Sequence, residues 1–296
     1  MEQLISVKDF SPEELRKWQL KLLEILVYFR DFCEAHNLRF FLAAGTCIGA
    51  VRHHGFIPWD DDLDVQMPRD DYDKLVDLWD KYADKSKFRV ERTNKDRCVG
   101  FPMTVCRSMD TTCIFDHSVD ADICQGLKID VEFLDGVPSG KWNRKFTLQC
   151  ARLMALLRSE RVPIHGIPKV QKQSRLILKL LPTHWIRWKV STLLEKKIKQ
   201  CKFDSDCEFI RYISAPMRKK RLYESAVYLD FEGYKMPVPV GYDEYLRDQY
   251  GDYMKLPPES QRKPITDNLV FYDLDHSYLD YKGKYYCVDK KNKPKS

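Results

Sequence analysis

The chain has 296 residues, 44% of them hydrophobic and 32% charged, with a net charge of +6. That length buries a sizeable core as one large domain or two small ones, in the composition of an ordinary soluble globular protein. So weak a basic balance does not call for nucleic acid, and ten cysteines without a CxxC pair point to reduced thiols rather than disulfides or a zinc site.

The first ten residues, MEQLISVKDF, are too charged for a secretory leader. With no run of about 18 apolar residues, nothing crosses a membrane as a helix, and a cytoplasmic protein is expected. Ser11, Pro12 and Glu14 read as N-cap, first-turn proline and capping-box partner. Leu15, Trp18, Leu22, Ile25, Leu26, Phe29 and Phe32 then recur at three- and four-residue steps, predicting an amphipathic helix over 11–36 that lies across the sheet. On such a stripe Trp18 and Phe29 are core residues rather than a ligand platform.

The stretch 41–67, FLAAGTCIGAVRHHGFIPWDDDLDVQM, organises the rest. An apolar run into Ala44 predicts a strand, Gly45 and Thr46 a turn, and 47–53 a short helix ended by Gly55 to Pro58. Aspartate then fills four of the five positions 60–64. In Asp62-Leu63-Asp64-Val65 the period of two puts both carboxylates on one face of a strand, with Leu63 and Val65 in the core. Paired carboxylates facing a Gly-Thr turn make an oxygen-rich site for a hard cation, Mg2+ or Mn2+, as one or two ions. Free N–H groups of Gly45 and Thr46 before the helix suit a phosphate, and Arg52 offers a planar fork for a phosphate oxygen. His53 and His54 read as helix-end polar residues. The bland alternative for the whole stretch is an acidic surface loop.

The run GTCIGAVRHHGFIPWDDDLDV resembles the signature of LicD-type phosphotransferases, the group that includes bacterial phosphocholine transferases and the fukutin-related proteins. The resemblance implies a nucleotidyltransferase-like α/β (α+β) fold: a mixed sheet flanked by helices, with a helical C-terminal portion. It also implies a CDP-activated alcohol donor, CDP-choline first, and a glycan or lipid-linked glycan acceptor.

Downstream, 68–82 is predicted helical, with Asp70, Asp71 and Asp73 as first-turn charges rather than metal ligands. Short strands are expected at 87–92 and 100–107, and a polar loop over 108–126. In 128–134, Ile129, Val131 and Phe133 alternate with Asp130 and Glu132, so a strand beside the first acidic one would supply a third carboxylate. The segment IDVEFLDGVP resembles the family's later acidic strand, which implies Asp130 as third metal ligand and base. Glu132 stands where that pattern is apolar, and competes for the role.

A helix is expected over 141–158, then a break from Pro163 to Pro168. The segment 169–202 holds ten Lys or Arg and one acid, Glu195, among tryptophans and aliphatic residues, as two helices split at Pro182. It is either a solvated basic face over the core or a membrane-surface element at the inner face of the membrane. Residues 230–239 read as a hairpin turning at Gly233, and 241–250 as a helix. YDEYLRDQYGDYMKLPPESQR again resembles the family, which implies Arg262 in the substrate site; Tyr245, Tyr250 and Tyr253 read either as part of a base- or choline-binding wall or as core packing of an aromatic-rich helix. The family's histidine after that arginine is replaced by Pro264, Ile265 and Thr266.

The expectation is one catalytic domain over 1–281, with a core over about 11–140, a helical and C-terminal portion over about 141–281, and a basic tail over 282–296. Three further readings stay open: a ribitol- or glycerol-phosphate transferase, a nucleotidyltransferase using a nucleoside triphosphate, and a glycan- or membrane-binding protein with a relic site.

Overall fold

A computed structural model describes residues 6–163, 167–266 and 268–288. Helix α1 (Pro12–Ala35) opens with the expected capping box: Ser11 Oγ accepts from Glu14 N at 3.2 Å, and Glu14 Oε2 accepts from Ser11 N at 2.7 Å. Its apolar stripe, Trp18, Leu22, Ile25, Phe29 and Cys33, is buried across the central sheet, where α1 meets β4 and β6 defined below.

The sheet is mixed. Strand β1 (Phe41–Leu42) leads into the short helix α2 (Ala44–Ile48), continued by a π-helical turn over Gly49–His53. There follow β2 (Asp64–Pro68), α3 (Arg69–Tyr82), β3 (Phe88–Glu91), β4 (Thr104–Ser108), β5 (Thr112–Phe115) and the long β6 (Lys128–Val137). The spatial order is β1-β2-β6-β4-β3, with β2 and β6 parallel and the other neighbours antiparallel. The α/β reading of the sequence holds.

Helices α4 (Lys141–Ser159), α5 (Pro168–Leu180) and α6 (His184–Ile198) follow, the last two divided around Pro182 as expected. The remainder is not helical alone. Strands β7 (Phe209–Arg211) and β8 (Arg218–Lys219) extend the sheet from the far end of β6, and β9 (Ala226–Phe231) and β10 (Tyr234–Pro239) form the hairpin. Its turn uses Glu232 and Gly233, both at positive φ (51° and 82°), the combination a tight hairpin needs. Helix α7 (Tyr242–Tyr250) and β11 (Leu269–Asp273) complete the chain.

Two expectations need correction. The stretch 108–126 is not all loop: β5 pairs antiparallel with β11, a partner more than 150 residues away. Nor does the packed chain stop at Lys282, because Tyr286 is fully buried against Ile114, Cys124 and Tyr278. Residues 289–296 of the expected tail, and 164–166 of the expected break, lie outside the described residues.

The α4–α6 layer is fastened to the sheet by a buried ionic knot. Arg69, first residue of α3, donates from Nε and Nη2 to Asp135 of β6 at 2.7 Å each, and from Nη1 to Glu195 of α6 at 3.2 Å. Its guanidinium lies 3.5 Å from the Phe133 ring centroid. Arg158 of α4 reaches the other oxygen of Glu195 at 2.8 Å. Breaking such a pair strands a buried charge. Asp135→Ala should therefore cost about 3–5 kcal/mol, lowering Tm by roughly 10 °C. The double change Asp135→Leu with Arg69→Met should recover most of it, and calorimetry of both variants checks the pair.

Candidate active site

The parallel register of β2 on β6 sets Asp64 opposite Asp130, and Gln66 opposite Glu132. Intervening residues Val65, Met67, Val131 and Phe133 point into the core and are fully buried, so the acids share the other face. The strand begins at Asp64, however, and Asp62 lies in the loop that enters it. The expectation that both aspartates sit on one strand face is corrected to that extent.

The Gly-Thr turn is also reshaped. Helix α2 starts at Ala44, so Gly45 and Thr46 fall in its first turn. Thr46 Oγ1 accepts from Asp64 N at 2.9 Å, tying the helix to the acidic strand. A Cβ on Gly45 would lie 2.8 Å from an Asp60 carboxylate oxygen, so a side chain there would displace Asp60. Ala44 has φ 45°, a strained value for alanine, and its N–H donates to the Tyr245 hydroxyl at 2.9 Å. Gly49 must be glycine for a different reason: a Cβ would come within 2.5 Å of the Gly55 carbonyl.

The acids crowd one another. Burial first, then Asp62 and Asp61, push the Asp60 carboxyl up to about 8. Asp62 keeps solvent contact, yet burial of its carboxyl, with Asp61 and Asp130 nearby, raises it to about 6. Asp64 is pushed well above the usual range by burial, Asp62, Asp130 and Glu132. Glu132 rises to about 7, mainly through burial and against the opposing hydrogen bond from Gln66. The cation at their centre is Lys128, whose Nζ meets Asp130 Oδ1 at 2.5 Å. Gln66 Nε2 donates to Glu132 at 2.6 Å, while its Oε1 accepts from Arg218 at 2.8 Å. Among the described residues no three His, Cys, Asp or Glu side chains are gathered closely enough to enclose an ion; Asp130 pairs with Lys128 and Glu132 accepts from Gln66. The donor set nevertheless suits one: all oxygen, negatively overcharged and held on rigid backbone.

Arg52 and Arg262 form a basic pair near Asp60. Arg52 donates to the Tyr253 carbonyl at 2.5 Å, and its guanidinium is held below its usual pKa by burial and then by the charge of Arg262, with Asp60 opposing. Arg262 donates to the Pro257 carbonyl at 2.8 Å and lies 5.7 Å from the Trp59 ring centroid. Two like cations within each other's field make a site for an anion. Tyr250, at the end of α7, is 43% exposed and feels Asp64, Arg218 and Asp60. Tyr253 differs: its ring is buried and its hydroxyl donates to Asp243 at 2.8 Å.

Asp61, Gln66, Lys128, Arg218 and Trp59 were not singled out in the sequence. Asp61 is a latch, accepting from Ile265 N at 3.1 Å and Thr266 N at 2.9 Å, which fixes the loop carrying Arg262. Those are the residues that stand where the resemblance leads one to look for a histidine.

A family model described as the LicD/FKTN/FKRP nucleotidyltransferase domain matches residues 37–121, which include Gly45, Thr46, Arg52, Asp62 and Asp64. The chain is also 29% identical over 279 residues to the lipopolysaccharide cholinephosphotransferase LicD of Haemophilus influenzae, covering 84% of this chain and 95% of that one. Residues 37–121 thus carry a LicD-type domain. Shorter matches link this chain to uncharacterised proteins of Rickettsia prowazekii (33% identical over 67 residues, 21% of this chain and 25% of that one) and Rickettsia typhi (36% over 70 residues, 23% of each).

Because the fold raises the pKa of Asp64, its charged form is the disfavoured one. Its penalty is absent below the unfolded value of about 4 and grows as pH rises from there through neutrality. Metal-free Asp64→Asn should therefore melt at the same or a higher temperature than the parent at pH 7.5, with the gap closing toward pH 4. A variant that melts several degrees lower at pH 7.5 would mean that the carboxylate holds the fold together. Asp61→Ala, which strands two N–H groups, should instead lower Tm by a few degrees at every pH.

Proposed function

We propose that this protein transfers phosphocholine from CDP-choline to a hydroxyl of a cell-surface glycan or its lipid-linked precursor, releasing CMP. The observation that carries the reading is a crowded set of acids on the β2–β6 seam and its entry loop, with Arg52 in the field of both Asp60 and Arg262. Asp64 and Asp130 are paired in register on that seam, in a chain that matches a cholinephosphotransferase over 84% of its length.

Asp62, Asp64 and Asp130 would hold Mg2+ or Mn2+, as one or two ions, and the bound metal would neutralise charge on the donor's phosphates. The ion would compete with Lys128 for Asp130. Arg52 and Arg262 bind the diphosphate as paired guanidinium forks, aided by the first-turn amides of Gly45 and Thr46. Tyr250 and Trp59 offer aromatic faces to the quaternary ammonium, which needs no hydrogen-bond acceptor. The acceptor oxygen attacks the phosphorus that bears choline and gives its proton to Asp130. The bond from that phosphorus to the bridging oxygen breaks, and CMP departs with the electron pair. Tyr253 acts through Arg52, whose guanidinium its carbonyl positions.

The test is a donor panel of CDP-choline, CDP-ethanolamine, CDP-ribitol, CDP-glycerol, CTP and ATP, with Mg2+, watching for CMP or pyrophosphate. CDP-choline should release CMP fastest. Preference for CDP-ribitol or CDP-glycerol would reassign the alcohol, and pyrophosphate from a triphosphate would reassign the reaction. Asp62→Asn, Asp64→Asn and Asp130→Asn should each lower kcat by about a hundredfold or more. If Glu132→Gln is the more damaging of the β6 pair, Glu132 rather than Asp130 takes the proton. Arg52→Lys keeps the charge but loses the fork, and should raise the donor KM about tenfold.

A further inference from the structure

We infer that the exposed faces of α5 and α6 form a docking surface for an anionic phospholipid bilayer. This goes beyond the transfer reaction and does not depend on which donor is used.

The faces follow from helical spacing. On α5, Lys172, Leu176, Lys179 and Leu180 fall within one strip, and on α6 so do Trp185, Lys189, Leu193 and Lys196. Leu180 is 69%, Leu193 65% and Trp185 54% exposed, although a folded chain in water gains by covering such groups. Lys189 Nζ sits 3.9 Å from the Trp185 ring centroid, so aromatic and cation share one patch. Among the described residues, Lys172, Lys179, Lys189 and Lys196 pair with no acid. The segment's one acid, Glu195, is turned inward to Arg69 and Arg158. Charge and apolar surface are therefore interleaved and uncompensated along one strip of each helix.

That combination decides the occupant. A solvated basic face would not leave leucine and tryptophan standing among its lysines, and a polyanion such as RNA offers nothing to bury aliphatic side chains. A bilayer with anionic headgroups satisfies both: lysines reach phosphate and serine headgroups while Trp185, Leu176, Leu180 and Leu193 enter the interface. Between α4 and α5 a groove of about 810 Å³, lined by Leu153, Leu156, Ile167, Val170 and Ile177, adds uncovered apolar surface on α5.

Flotation of the full chain with vesicles of phosphatidylcholine alone, or with a third phosphatidylglycerol, tests this at 0.05 and 1 M salt. The protein should float with the anionic vesicles at low salt and remain below at high salt, where screening shortens to ~3 Å. Changing Lys172, Lys179, Lys189 and Lys196 together to Gln should weaken partitioning about a hundredfold. Trp185→Ala with Leu180→Ser should weaken it at least about tenfold, while CMP release from a soluble donor stays unchanged in both variants. No flotation of the wild type, flotation indifferent to lipid charge and salt, or binding to RNA without binding to vesicles would each overturn the proposal.

Discussion

Two carboxylates held in register on adjacent parallel strands, Asp64 beside Asp130, are the constraint around which the cleft is arranged. Like charges at that spacing repel by a few kcal/mol at the dielectric of a protein surface. Leu63, Val65, Met67, Ile129, Val131 and Phe133 lie on the opposite face and are all buried. Each contributes roughly 1.5–3 kcal/mol on leaving water, together on the order of 10 kcal/mol. A slip of one strand by one residue would relieve the acids but turn that strand's half of this set to the other face. Apolar packing therefore wins, and the acids are pressed together by the core behind them.

The site's other walls arrive from far along the chain and are attached by one or two polar bonds each. Tyr245 holds the start of α2, Asp61 holds the loop after Arg262, and the Tyr253 carbonyl holds Arg52. From the N-terminal side, Trp18 Nε1 donates to the Asp61 carbonyl at 2.8 Å and Gln19 Nε2 to the Asp60 carbonyl at 2.9 Å. Glu232 of the hairpin accepts from Phe56 N at 3.1 Å and pairs with Arg16 at 2.6 Å. A buried helix, a hairpin turn and a C-terminal loop thus converge on one acidic segment. This explains why so irregular a stretch as 54–63 takes one conformation.

What could be read in advance was whatever carries a local signal. The capping box and stripe of α1, the division of α5 from α6 at Pro182 and the turn at Gly233 are each set by residues within a few positions of one another. The alternation in 128–134 was legible for the same reason, and it put Asp130 and Glu132 on the right face. Pairings across long separations left no such mark. β5 finds β11 across more than 150 residues, and neither strand alternates clearly enough to announce the other. Gln66, Lys128 and Arg218 are isolated polar residues in the sequence, and only the register of β2 on β6 and the packing of β8 bring them to the carboxylates.

The four aspartates between positions 60 and 64 show how far composition misleads when the backbone is irregular. In sequence they look like one acidic cluster. In the fold, Asp61 turns away and is satisfied by two backbone N–H groups, while Asp60 lies against Gly45 at the start of α2. Asp62 remains accessible at the mouth, and only Asp64 belongs to the strand. Burial alternates along 61–65, with Asp61, Leu63 and Val65 buried and Asp62 and Asp64 less so. The same alternation that sends Leu63 and Val65 into the core leaves Asp62 and Asp64 free for ligand, and it commits Asp61 to structure.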